Sequence, residues 1–399
     1  MTYDVDAFRS QFPSLSSGIA HFDGPGGSQT PAPVAEAVAR TMTSSIANRG
    51  RLTAAERLAD DVVVGARQAM ADLLGADPRG VVFGRSMTQL TYDLSRTLAA
   101  TWQAGDEVVV TRLDHDANVR PWVQAAEAVG ATVRWADFDP GTGELTANDV
   151  AAVLSPRTRL VAITGASNLI GTRPPVAEIA EVAHGVGALV FVDAVHLAAH
   201  APVDMATLRA DLLACSPYKF LGPHCGVLAA APELLESLHP AKLLPSSDAV
   251  PERFELGTLP YELLAGTTAA VDVLAGLAPD DGGRRDRLLR AMAAVEAHED
   301  ALRDRLEAGI AELPGVRSWS RAAQRTPTLL LTFDGREAKE VSAHLAQQGI
   351  NAPSSNFYAI EASRRLGLGD AGGLRLGLAP YSTIDDVDRV VAALGGLLP

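Results

Sequence analysis

The chain has 399 residues, 47% of them hydrophobic and 21% charged, a composition that excludes extensive disorder at a length that suggests more than one structural unit. Its formal net charge of −14 at pH 7 argues against nonspecific attraction to nucleic acid or to an anionic membrane surface. The two cysteines, Cys215 and Cys225, cannot build a disulfide framework or a CxxC zinc site, and no apolar run reaches the roughly 18 residues of a membrane span.

In chain order, the acidic start Met1-Thr2-Tyr3-Asp4-Val5-Asp6 has no basic n-region and no apolar h-region, so a cytoplasmic protein is the expectation. A short polar helix is predicted at 5–12, followed by the turn-rich His21-Phe22-Asp23-Gly24-Pro25-Gly26-Gly27. No Lys-Ser or Lys-Thr follows these glycines, which speaks against a nucleotide P-loop. Helical apolar spacing covers 31–42 and 52–74. Short β-branched runs then predict strands at 81–83, 108–110, 133–135, 160–163, 189–192, 212–214 and 227–229, with helices such as 89–98, 122–129 and 176–184 between them. The alternation predicts an α/β domain with a mostly parallel seven-stranded sheet, whose ligands sit beyond the strand carboxyl ends. After an Ala-rich helix at 264–277 and a Pro/Asp/Gly break, the pattern changes. A long helix at 285–313, strands at 328–333 and 374–378, and helices at 338–348 and 384–394 predict a smaller α+β domain. The expected division is an arm at 1–20 packing with the small domain, a large domain at 21–280 and a small C-terminal domain at 281–399.

Lys219 stands out because the chain has 34 basic side chains and only Lys219, Lys242 and Lys339 are lysines. Set in Ser216-Pro217-Tyr218-Lys219-Phe220, it is an amine that loses its proton when desolvated and can then attack a carbonyl carbon. The apolar strand ending at Asp193 supplies a carboxylate suited to a pyridinium nitrogen, and the two together are the equipment of a pyridoxal-phosphate site. Taken singly, a surface lysine and a strand-end cap would explain them. Gly84-Arg85-Ser86-Met87-Thr88 leads into a helix whose first amides and dipole favour an anion, which makes Met87 and Thr88 phosphate candidates, with the hydroxyls of Ser216 and Tyr218 in reach. His115, after the strand near Thr111, can lie on a flat ring and carry protons near neutrality. Asn168 and His196 are candidates for the ring oxygen. Arg375 sits in the apolar strand Leu374-Arg375-Leu376, where its fork suits an α-carboxylate unless an internal ion pair takes it.

Assembled, these pieces resemble the class-V aminotransferases of the fold-type-I pyridoxal-phosphate (PLP) enzymes, the cysteine desulfurase-like branch above all. The resemblance runs from about His21 to the C-terminus. It rests on Asp114-His115-x-Ala117-Asn118 with Pro121-Trp122, Ser167-Asn168 with Gly171-Thr172, Asp193-x-x-His196, Ser216-x-x-Lys219 with Gly222-Pro223, Arg253-Phe254-Glu255-x-Gly257-Thr258, and Arg375. It implies that Lys219 is the Schiff-base lysine, Asp193 the ring-nitrogen partner and His115 the stacking residue, with Asn168 and His196 near the ring oxygen. It further implies a phosphate held by Thr88, Ser216 and Tyr218, joined by Thr258 from the second subunit of a homodimer, and a substrate carboxylate on Arg375. Two departures stand out: His196 replaces a glutamine, and the loop Ile350-Asn351-Ala352-Pro353-Ser354-Ser355-Asn356-Phe357-Tyr358 lacks the cysteine that desulfurases use to carry sulfur. The expected activity is desulfurase-like cleavage of a C–S bond or Cβ substituent of an α-amino acid, without that cysteine. Transamination and epimerisation are the alternatives, and a catalytically idle PLP-fold binding protein a remote one. No metal, nucleic acid or membrane partner is expected.

Overall fold

The computed structural model describes residues 3–397; Met1–Thr2 and Leu398–Pro399, ends of the expected arm and small domain, lie outside the described residues. The strands are β1 (Ala20–His21), β2 (Val81–Gly84), β3 (Glu107–Thr111), β4 (Thr132–Ala136), β5 (Thr158–Thr164), β6 (Leu189–Asp193), β7 (Leu212–Cys215), β8 (Gly226–Ala230), β9 (Val316–Ser318), β10 (Thr328–Phe333), β11 (Ile350–Asn351), β12 (Ser354–Ser355) and β13 (Gly373–Gly377). The seven-stranded sheet has the order β2-β8-β7-β6-β5-β3-β4. Its neighbours pair in parallel, except that β8 runs antiparallel to both β2 and β7. One reversed strand between two others leaves β2, β3, β4, β5, β6 and β7 all pointing the same way. Their carboxyl ends therefore share one edge of the sheet.

Apart from the edge strand β4, the sheet's sequences look largely apolar because both faces are covered. Along β3, Val109 joins one core while Val108 and Val110 join the other; along β5, Val161 and Ile163 face away from Leu160 and Ala162. The helices Ala54–Leu74 and Val176–Gly185 supply the first core, and Met87–Ala99 and Arg120–Ala128 the second. Thr53 and Glu56 close a capping box on the first of these helices, satisfying otherwise orphaned amides.

A second, antiparallel sheet has the order β12-β13-β10-β9. Its core combines Leu329 and Leu331 of β10 and Leu374 and Leu376 of β13 with Leu302 and Leu306 of the helix Arg284–Ala311 and Val387 and Val390 of the helix Ile384–Leu397. Ala20 and Phe22 enter this core too, because β1 pairs in parallel with β11. The helix expected at 5–12 is shorter, Val5–Arg9, with Asp4 capping the Ala7 amide. Beyond it the chain is held by tertiary contacts: Phe12 lies 5.0 Å from Phe8 and 5.1 Å from Tyr381, and Arg9 pairs with Asp386 at 3.1 Å.

Candidate active site

The shared edge opens into a cavity of about 610 Å³. Met87, Thr88, His115, Asn168, Asp193, His196, Ser216, Tyr218, Lys219 and Arg375 all line it. Of the expected residues only Thr258 is absent, lying exposed in a loop outside this cavity. All the lining residues named but Arg375, which lies in the middle of β13, stand at or just after the carboxyl end of a strand of the large sheet. Ser86 caps the helix Met87–Ala99 through the Gln89 amide, so the first two amides of that helix, Met87 and Thr88, have no intrahelical acceptor. Gly226 of β8 makes this possible, since a Cβ there would lie 2.2 Å from the Ser86 carbonyl carbon. The hydroxyls of Thr88, Ser216 and Tyr218 have no partner among the described residues. They line the same cavity as two bare amides at a positive helix end, a combination that favours an anion.

Lys219 follows β7 on a single helical turn, Pro217–Lys219. Its Nζ donates to the Pro25 carbonyl at 2.5 Å and lies 4.7 Å from the Tyr218 ring centroid; that ring stacks on His224. Burial, and secondarily Arg375, push the amine down from 10.5 to about 7, against an upward pull from Asp193. A lysine near neutrality can both accept and return a proton. Asp193 is pushed up to about 6 by burial. Its Oδ1 accepts from the Val195 amide at 2.9 Å, while Oδ2 takes no donor from a described residue.

His115 stands on a buried polar stem. Trp122 Nε1 donates to Asn118 Oδ1 at 3.1 Å, Asn118 Nδ2 donates to Asp114 Oδ1 at 2.7 Å, and the Thr111 hydroxyl donates to Asp114 Oδ2. The Asp-His-x-Ala-Asn and Pro-Trp spacing is thus a scaffold beneath the imidazole. His115 Nδ1 accepts from the Ala117 amide at 3.0 Å, which fixes the tautomer with hydrogen on Nε2. Contrary to the near-neutral value expected, burial, and then Lys219, push His115 down to about 4. The ring is neutral at physiological pH and lies at 25° to Tyr358, with centroids 5.6 Å apart.

Asn168 and His196 differ from expectation in their partners. Asn168 Nδ2 donates to the Phe357 carbonyl at 2.9 Å, so that donor is spent on the small-domain loop. His196 Nε2 meets the hydroxyls of Thr326 and Thr328 at 2.9 and 3.0 Å. Asn168 thus ties the large sheet to the loop after β12, and His196 ties it to the segment carrying β10, although both side chains still line the cavity. Arg375 is 2% exposed, and among the described residues no carboxylate pairs with it. Its Nη1 donates to the Asn168 carbonyl at 2.9 Å and its Nε is buried without a partner. The Phe357 ring covers the guanidinium, with its centroid 3.7 Å from Cζ, and burial pushes the group down to about 9. The internal ion pair weighed from the sequence is therefore not formed.

Sequence reasoning missed Pro25 and Gly26, whose turn reaches the cavity, and also Tyr92, Arg120, Ser355 and Phe357. The Gly-Pro-Gly-Gly run is no phosphate loop: it seats Pro25 against Gly377, where a Cβ would lie 2.2 Å from the proline ring. Nothing in the sequence links Pro25 to Gly377, so this contact is visible only in the folded chain.

The class-V aminotransferase family model matches residues 20–390. The chain belongs to that family. It is 30% identical to the cysteine desulfurase of Dickeya dadantii over 98% of this chain and 96% of the relative. It is also 30% identical to an aminotransferase-like protein of Gibberella zeae over 98% of each. The crystal structure of an Escherichia coli cysteine desulfurase matches with a TM-score of 0.88 and 27% identity, covering 100% of both chains. The architecture is that of the fold-type-I PLP enzymes, and the cofactor of this class-V aminotransferase is pyridoxal 5′-phosphate. The residues present fit it: a desolvated amine, a carboxylate with one open oxygen, an uncharged flat ring, and hydroxyls and amides arranged for a phosphate. Among the described residues no group of side chains is arranged to hold a metal ion.

Proposed function

We propose that this class-V aminotransferase acts on an α-amino acid, cleaving a C–S bond or another Cβ substituent. The observation that supports this most is the sharing of one cavity by a lysine amine near neutrality and a buried arginine with no carboxylate partner among the described residues. In this reading Lys219 holds the cofactor at rest, and Asp193 meets the ring nitrogen beneath an uncharged His115. Met87, Thr88, Ser216 and Tyr218 take the phosphate, with Thr258 contributed by the second copy of a homodimer. Asn168 and His196 border the ring oxygen while bracing the small domain. When bound, the cofactor supplies an aldehyde for the substrate amine and a sink for the electrons left at Cα. Arg375 orients the substrate by its α-carboxylate, and Lys219 moves the proton at Cα. Phe357 and Tyr358 limit water at that carbon. We further propose the division into an arm to residue 20, a large domain to 280 and a small domain from 281, in a cytoplasmic enzyme.

We also propose that the departing group does not pass through a cysteine of this chain. Cys215 lies in β7 and Cys225 beside Thr267, both buried and neither lining the cavity. Burial pushes both thiols up, Cys225 to about 11, and a thiol held protonated is a poor nucleophile.

A panel of L-amino acids, including cysteine and its S-substituted derivatives, tests the reaction type by following sulfide, pyruvate, 2-oxo acids and optical rotation together. Pyruvate formed in step with the released Cβ substituent is the expected result. A 2-oxo acid retaining its side chain would make the reaction a transamination, and loss of optical rotation alone an epimerisation. Bound cofactor with no turnover of any amino acid would leave a binding protein.

A further inference from the structure

The loop Asn356–Tyr358 is built against its own backbone preference. Phe357 and Tyr358 have φ of 52° and 60°, a left-handed conformation that bulky side chains adopt only at an energetic cost. The Asn356 side chain caps the Tyr358 amide at 3.0 Å, and the Tyr358 carbonyl accepts from the Asp116 amide at 2.7 Å. The strained pair places one ring over Arg375 and the other beside His115. Immediately after it, the short helix Ile360–Arg365 carries Glu361. This carboxylate reaches back to the large sheet: Arg112 Nη1 donates to its Oε2 at 2.7 Å, and Arg120 Nη2 lies 3.5 Å from its Oε1. Arg112 also pairs with Asp137 at 2.7 Å and Arg120 with Asp116 at 2.8 Å. Glu361, with 13% of its side chain exposed, is the inner member of this chain of charges. It is also the side chain that ties the helix after the strained loop to the arginines flanking the His115 segment.

We propose that Glu361 is a positioning residue, which through Arg112 and Arg120 holds the Phe357–Tyr358 loop closed over Arg375 and His115. The ion pairs offset the cost of two left-handed residues and favour the closed loop. With the loop closed, Phe357 fixes the plane of the guanidinium and Tyr358 shields the face of His115. Without the pairs the loop relaxes outward, and the site has to reassemble each time substrate arrives. The substrate dependence of this effect rests on the amino-acid reaction proposed above; the position of the loop does not.

The test compares cofactor-loaded wild type with Glu361→Gln and Glu361→Asp. Both arginines keep another carboxylate in the Gln variant, so its melting temperature and cofactor content are expected to match wild type. KM is expected to rise roughly tenfold with kcat changed less than about threefold, and Glu361→Asp should recover part of the loss. Independently of turnover, chymotrypsin should cleave after Phe357 or Tyr358 roughly tenfold faster in Glu361→Gln, since cleavage follows the open population. Unchanged cleavage would overturn the proposal whatever the activity. So would a parallel fall in melting temperature, cofactor content and kcat, which marks a structural role alone. If wild type turns over no amino acid yet the cleavage difference appears, the proposed reaction fails and the positioning role of Glu361 stands.

Discussion

Lys219→Ala is expected to lower turnover by at least ~10³-fold, because in the proposed function one amine both holds the cofactor and moves the proton at Cα. Loss on this scale with an intact fold distinguishes a chemical role from a packing one. The same side chain leaves a mark on stability, read on cofactor-free protein with Lys219→Met, which keeps the apolar stem. The folded amine titrates at about 7 and its ordinary value is 10.5. Between these values the unfolded chain carries a proton that the folded chain has released, so stability from this group rises with pH. The slope is about 1.4 kcal/mol per pH unit. Below pH 7 the full penalty of burying the charge is present. Cofactor-free Lys219→Met should therefore melt above cofactor-free wild type near pH 7, with the gap closing toward pH 10.5. A gap that widens with rising pH would reverse the assigned shift.

Arg375→Leu is expected to raise the substrate KM by ~30-fold or more, the scale of removing one partner from a buried charge pair. In the absence of substrate its effect on stability should have the opposite sign. Among the described residues the wild-type guanidinium is buried without a carboxylate partner and with Nε unpartnered, an arrangement that costs folding energy and that the proposed function explains by substrate binding. Melting of the ligand-free proteins should show Arg375→Leu at least as stable as wild type. Arg375→Lys keeps a charge but loses the planar fork and much of the contact with Phe357, so it should fall between them in KM. A variant that melts lower while its KM is unchanged would assign Arg375 to the fold instead.

The sheet was legible because strands buried on both faces appear as short apolar runs, and each of the seven expected runs falls within a strand of the large sheet. Lys219 and Arg375 were legible for another reason: a rare amine and a lone charge stood in segments otherwise too apolar to hold them. The two-residue strands β1, β11 and β12 carry no periodicity of their own and exist through pairing with segments distant in sequence. Nothing in Phe357-Tyr358 announces a left-handed backbone, so the loop that covers the site could be seen only in the folded chain. Asn168 and His196 were recognised by chemical type, but their partners are Phe357, Thr326 and Thr328, more than a hundred residues away. The expectation of a near-neutral His115 failed for the same reason: its environment is assembled by burial and by Lys219.

The proposed function requires that Lys219, rather than Lys242 or Lys339, hold the cofactor. Borohydride treatment of the loaded protein, followed by peptide mass mapping, fixes the cofactor to whichever amine carries it. A single stoichiometric mass increase on the peptide containing Lys219 is the expected result. A label on another lysine, or none on protein saturated with the cofactor, would contradict it.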